Sequence, residues 1–426
     1  MRKTILHITD LSCYYNIEQQ FLVNCVAYAV SGRDVFAGVF MHTPLRWDVV
    51  KNLSLYHRIV PLVHDFLERH PNPNIPDKVS AYFRNASQVI SFTNYSLTED
   101  LLAISSILEK HKIIAAPLKG PVLAAMGYRH IGLRQFTDID ILIRKSDLIR
   151  IKTLLAGHGY DSENGVVEFE NECELYLQKN NRNLKLDIHW SLVESHYGYE
   201  YTVDSLFSRA RNIALAGTKI LSLCQEDVLL ATVFHHGKEG WKELRYIADL
   251  GGLINRQKDL DWNFLIEKSK QLGTERNLFL GLYLTNKLIP GHFSDVVSPI
   301  LKNDSFCKKI GDPILKNYFI DPKGYTPGDF KYDLGLQQNL NPRMRSFPFV
   351  IGSLQELIRP NHLDKSAINL PARLHFLYYF IRLGRLLRAY GLSKVFKSLF
   401  RWLNEFLFTS QRGDLRLYFL TKKNKK

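Results

Sequence analysis

Residues 132–143 read GLRQFTDIDILI, and their last six positions set acids and aliphatics in alternation. A strand sends successive side chains to opposite faces, so Asp138 and Asp140 project together while Ile139, Ile141 and Ile143 turn into a core. Further on, LKLDIHW at 184–190 alternates in the same way, with Asp187 between Leu186 and Ile188. If the two strands lie side by side, a third carboxylate joins the first two. Upstream, IIAAPL at 113–118 is a short apolar run closed by Lys119-Gly120. Between the strands, SDLIRIKTLLAGHGY at 146–160 reads as a helix capped by Ser146 and stopped by Gly157 or Gly159. Strand, helix, strand, helix and further strands make an α/β or α+β pattern.

On either side the chain is helical. Residues 45–70 carry apolar positions at helical spacing until PNPNIP at 71–76 stops them, and a further helical stretch runs to about residue 110. From about residue 222, LCQEDVLLATVFHHG, WKELRYIADLGGLI and LDWNFLIEKSKQLG are amphipathic segments. Residues 320–348, with Pro322, Gly324, Pro327, Gly328, Pro342 and Pro348, read as a loop or linker. With 426 residues the chain is long enough for two or three cores at roughly 150 residues each. The expected division is a mainly helical region at 1–95, an α/β core at 96–215, a helical accessory domain at 216–320, and a linker with a basic helical region at 321–426.

Apolar residues are 46% and charged residues 23%, the balance of a folded protein, which excludes wholesale disorder. The opening MRKTILHITD breaks its apolar stretch at His7, Thr9 and Asp10, so a cleaved export signal is not expected. No apolar run is long enough to span a membrane. Five cysteines far apart, at 13, 25, 173, 224 and 307, suit reduced thiols rather than disulfides or zinc, so a cytoplasmic setting is expected.

The net charge is +14, and most of the excess lies at the end: residues 371–426 hold 13 Lys+Arg against 2 acids, or +11. RLHFLYYFIRLGRLLRAYG at 373–391 places Arg382, Arg385 and Arg388 among aromatic and aliphatic residues, and VFKSLFRWLNEFLF extends the theme. Two readings stand: residues 373–410 rest on an anionic membrane or acidic partner, or they form a helical hairpin packed on the body with solvated arginines. No specific nucleic-acid-binding motif accompanies the charge.

Two carboxylates as close as Asp138 and Asp140 repel unless a cation lies between them. With Asp187 they make the oxygen-rich donor set that Mg²⁺ prefers, completed by substrate phosphates and water. For a lone D-x-D the alternative of a turn cap and a solvated strand acid is the commoner case; aliphatic flanks and a matching L-D-I on a second strand weigh against it here. At the Lys119-Gly120 turn, Gly120 allows close approach of a phosphate, Lys119 adds a point charge, and the helix start after Pro121 favours anions. A plain β-turn-α junction is the alternative. Arg134, four residues before Asp138, either holds phosphates or pairs with one of these aspartates.

LKGPVLAAMGY, GLRQFTDIDILI, LKLDIHW and HGKEGWKELRYIADLGGLI, in that order over about residues 50 to 260, resemble the uncharacterised nucleotidyltransferase family of the polymerase-β-like superfamily. The resemblance implies an α+β fold with a small mixed sheet flanked by helical regions. It implies that Asp138, Asp140 and Asp187 are the catalytic, metal-binding triad for Mg²⁺ or Mn²⁺. It also implies an NTP such as ATP as donor, held by Lys119 and Gly120, and an unidentified hydroxyl or phosphate acceptor. Bacterial small-molecule or glycoconjugate metabolism is the associated setting. Most of the superfamily has Gly-Ser at the turn; here it is Lys-Gly.

His236 and the W-K-E-L-R-x₃-D run from Trp241 to Asp249 match the family's downstream motif. His236, Lys238 or Arg245 is therefore expected to close over the nucleotide, or else Arg245 and Asp249, four apart on a helix, pair to knit it to the core. His189, on the face of Asp187, either supports the metal ligands or is a hydrogen-bonded sheet histidine. A non-catalytic nucleotide-binding scaffold with a docking C-terminus is the alternative function.

Overall fold

The computed structural model describes residues 15–33, 43–161, 166–168, 172–179, 182–192, 201–289, 297–319 and 370–390, with residues 40, 360, 364 and 368. The linker expected at 320–348 and most of the basic region beyond 390 lie outside the described residues. The chain forms two compact units, Met1–Val193 with Tyr199–Leu340 and Glu194–Gly198 with Asn341–Lys426.

The first unit is built on a five-stranded mixed sheet in the order β1-β2-β5-β4-β3. Its strands are β1 (Ala115–Pro117), β2 (Ile139–Ile143), β3 (Val166–Glu168), β4 (Glu172–Lys179) and β5 (Arg182–His189). The alternation in β2 and β5 decides their pairing: the two run parallel, with Ile139 opposite Leu186 and Asp140 opposite Asp187. Any register that moved one strand by a single residue would turn its acid into the core. Strand β4 pairs antiparallel with β5, placing Glu174 beside Asp187 and Glu172 beside His189. One face of the sheet is thus apolar, with Ile139, Ile141, Cys173, Leu175, Leu184, Leu186 and Ile188 all buried. The opposite face carries Asp140, Lys185, Asp187, His189, Glu172 and Glu174.

Helices surround this sheet. On the N-terminal side are α1 (Ile17–Ser31), α2 (Trp47–Tyr56), α3 (Val60–Arg69) and α4 (Asp77–Lys110). The stretch expected as one helix at 45–70 is two, because Arg58 takes a positive φ of 53° between them. Residues 95 and 96 lie inside α4, a single helix of 34 residues.

Next come α5 (Gly120–Gly127), α6 (Leu148–Gly157) and α7 (Val203–Ser208), then the hairpin β6 (Arg211–Leu215) and β7 (Thr218–Ser222). The cap expected at Ser146 is displaced: a 3-10 turn, Lys145–Asp147, precedes α6, and Asp147 occupies the cap position without a capping hydrogen bond. Then follow α8 (Gln225–Lys238), α9 (Leu244–Arg256), α10 (Trp262–Leu272), α11 (Glu275–Leu288), α12 (Val297–Asn303) and α13 (Ser305–Asn317). Helix α9 packs on α1, α5 and α11 and ties both helical groups to the core. Its Gly252 sits so close to Gly127 of α5 that a Cβ there would come within 2.2 Å of the Gly127 carbonyl oxygen. The second unit holds, among its described residues, a 3-10 turn Ala372–Leu377 and α14 (Tyr378–Tyr390).

Candidate active site

The carboxylates gather where β1 turns into α5 beside the start of β2. Gly120 opens α5 with φ +46°, and a Cβ there would stand 3.5 Å from the Asp138 carbonyl oxygen, so the turn lies directly on the acidic loop. That closeness brings the Lys119 ammonium to 2.8 Å from Asp140 Oδ1. His189 Nε2 lies 3.0 Å from the same oxygen, and its Nδ1 lies 3.0 Å from Glu172 Oε2. The geometry is that of the second reading, a hydrogen-bonded sheet histidine, and one of its partners is Asp140.

Burial alone would raise the Asp140 pKa, but the Lys119 charge and the His189 hydrogen bond hold it well below the usual carboxylate range. Burial likewise works against His189⁺, yet its bonds to Asp140 and Glu172 keep its pKa above the ordinary value.

Asp187 is in the opposite condition. Lys185 Nζ lies 2.9 Å from its Oδ2 and 3.0 Å from Glu174 Oε1. Its Oδ1 is buried without a hydrogen-bond partner. Burial pushes the Asp187 pKa up to about 6, the Asp140 and Asp138 charges add to the rise, and Lys185 offsets only part of it. Half-buried Asp138 lies within electrostatic reach of both Lys119 and Asp187. Among the described residues, no three Asp, Glu, His or Cys side chains are already converged as a metal's ligand set. Lysines hold an oxygen of Asp140 and one of Asp187 instead. The donor chemistry still fits a hard divalent cation: Asp140 and Asp187 are register partners on one face, Asp138 lies within electrostatic reach of Asp187, and a buried Asp187 oxygen lacks a hydrogen-bond partner.

The other expected nucleotide contacts are placed elsewhere. Arg134 is buried and makes a two-pronged pair with Asp249, Nε to Oδ1 at 2.8 Å and Nη2 to Oδ2 at 3.0 Å. His236 Nε2 is 3.1 Å from Asp249 Oδ2, and Tyr128 Oη donates to Oδ1 at 2.7 Å. Arg134 therefore pairs with none of the triad aspartates, and its guanidinium is committed inside the core. Arg245 does not pair with Asp249, whose two oxygens already accept four hydrogen bonds; it forms an ion pair with Glu243 at 3.0 Å and lies over the Tyr246 ring. From α4, the Asn94 amide donates to the carbonyls of Ile131 and Arg134 at 2.8 and 2.7 Å, fixing the loop that leads into Asp138.

The sequence reading missed Lys185, Glu172, Glu174 and His235. Lys185, Asp187 and His189 alternate along β5, so their shared face was available from spacing; Glu172 and Glu174 needed the β4 register. His235, next to the residue singled out, lies within electrostatic reach of Lys119 and Asp140, and burial drives its pKa well below the ordinary value.

The β1–α5 turn thus lies beside the start of β2, and the parallel neighbour β5 brings Asp187 opposite Asp140. The model of the uncharacterised nucleotidyltransferase family matches residues 43–290, more than half of the chain, and the protein belongs to that family. No curated protein and no solved structure matches it.

Proposed function

We propose that the protein transfers a nucleoside monophosphate from an NTP to a hydroxyl or phosphate acceptor, with Asp138, Asp140 and Asp187 holding Mg²⁺ or Mn²⁺. The observation that carries this reading is the pairing of Asp140 with Asp187 across β2 and β5, which leaves one Asp187 oxygen buried and unpartnered. A bound divalent ion would supply charge neutralisation of the triphosphate and the pyrophosphate leaving group.

This chain's own residues do the rest. Lys119 gives a positive charge at the mouth of the turn, and Gly120 leaves room for a phosphate beside it. His189, anchored on Glu172, keeps Asp140 oriented. The acceptor oxygen attacks the α-phosphorus, the bond from that phosphorus to the bridging oxygen breaks, and pyrophosphate leaves. Where the acceptor is a hydroxyl, Asp187 takes its proton, a task suited to a carboxylate whose pKa stands near neutrality.

Incubation with NTPs labelled at the α- or the γ-phosphorus, over a panel of small-molecule and macromolecular acceptors, tests the proposal. Label from the α-position should reach an acceptor in the presence of Mg²⁺ and vanish with Asp187→Asn. Transfer of γ-label, or nucleotide binding with no turnover, contradicts it. The second outcome would favour the scaffold reading, which the lysines already neutralising Asp140 and Asp187 support.

A further inference from the structure

The 370–390 segment belongs to the second unit and lies outside the family match. Its entry is fixed by buried Tyr378, whose hydroxyl accepts from the Leu370 N–H at 2.9 Å and donates to the Ile368 carbonyl at 3.0 Å. Asp364 is fully buried and takes Arg385 at 2.7 Å and Arg382 at 3.8 Å. Arg382 and Arg385 of α14, which the hairpin reading leaves solvated, are thus drawn to one buried carboxylate.

A different set of side chains is exposed. Phe376 is 58% exposed, Tyr379 48%, Phe380 67% and Leu383 44%. Tyr379 and Phe380 lie four and three residues from Leu383, so they share a helix face, and Phe376 is exposed in the 3-10 turn just before it. Exposed Arg373 and Arg388 flank this stripe at its two ends.

We propose that this apolar stripe docks in the headgroup region of an anionic lipid bilayer, with α14 lying in the plane of the membrane. The stripe supplies the apolar contact, its end arginines meet the headgroups, and the +11 balance of residues 371–426 supplies the attraction. A nucleic acid would call for cationic groups on the exposed face, but that face is apolar, and Arg382 and Arg385 turn to Asp364. No described helix is long and apolar enough to cross a membrane, so the contact is in-plane. The inference does not depend on the transferase reading.

Co-sedimentation of the full chain with vesicles of phosphatidylcholine, with and without phosphatidylglycerol, tests it. The protein should pellet with the anionic vesicles only, and less so as salt rises. Phe380→Ser with Leu383→Ser should weaken binding about tenfold or more, because two apolar side chains lose their insertion energy. Phe380→Leu should retain it, which separates insertion from a folding defect. The proposal is overturned if the full chain ignores anionic vesicles. It is equally overturned if the double Ser variant binds as well as wild type, which would leave tail charge alone at work, or if an RNA oligonucleotide binds at the same arginines with no effect of that variant.

Discussion

Asp249 accepts four hydrogen bonds with two oxygens, from Arg134, Tyr128 and His236, none of them adjacent in sequence. The family motif contains both His236 and Asp249, but His236, expected to close over the nucleotide, is buried against Asp249 instead. The i,i+4 spacing of Arg245 and Asp249 suggested a pair that tertiary packing displaced, since Arg134, 115 residues away, reaches the carboxylate with better geometry. Local spacing carries no information about such a competitor. Breaking this buried cluster with Asp249→Asn or Arg134→Met should cost about 3–5 kcal/mol, read from the denaturant midpoint. Burial pushes the His236 pKa from 6.5 down to about 4, so the folded chain binds that proton less readily than the unfolded chain. Its contribution to stability is present above about 6.5 and lost as pH falls toward 4. Acid titration of the unfolding free energy should show a shallower loss over that window in His236→Gln than in wild type. Asp187→Asn should behave in the contrary way. Removing a buried, partly uncompensated carboxylate should leave the melting temperature of the metal-free protein no lower, while transfer falls by about a thousandfold.

The element whose placement matters most to the site is β2, and its position was legible. Alternation set the face on which β2 carries Asp140, while Asp138, expected on the same strand, lies in the bend one residue before it; the same alternation in β5 chose the register that brings Asp140 opposite Asp187. What alternation left open was the neighbour beyond: β4 contributes Glu172 and Glu174 through an antiparallel register that only the sheet reveals. Helix crossings were equally hidden. Nothing in the run DLGGLI at 249–254 states which helix its glycines meet, yet Gly252 of α9 lies against the backbone of α5. Since α5 begins at the Lys119-Gly120 turn, this crossing sets the distance of the turn from the rest of the core. Gly252→Ala should therefore destabilise by about 2 kcal/mol or more, and nucleotide affinity should weaken with it, measured by thermal unfolding and by titration on the same preparation.

At the scale of the whole molecule, the first unit carries the nucleotidyltransferase match and all the candidate site residues, while the second carries the basic helical region. The gradient of charge along the chain is enough by itself to set the second region apart. It says nothing of Arg382 and Arg385 turning to Asp364, because that carboxylate lies outside the basic run. The central claim concerns the first unit: its acids form a metal-dependent nucleotide site. Calorimetric titration of each NTP, with and without Mg²⁺, into the wild-type chain and into folded Asp138→Asn/Asp140→Asn tests it most directly. The account predicts binding of an NTP that requires Mg²⁺ and disappears in the double variant; Mg²⁺-independent binding, or binding that survives the loss of both carboxylates, would contradict it.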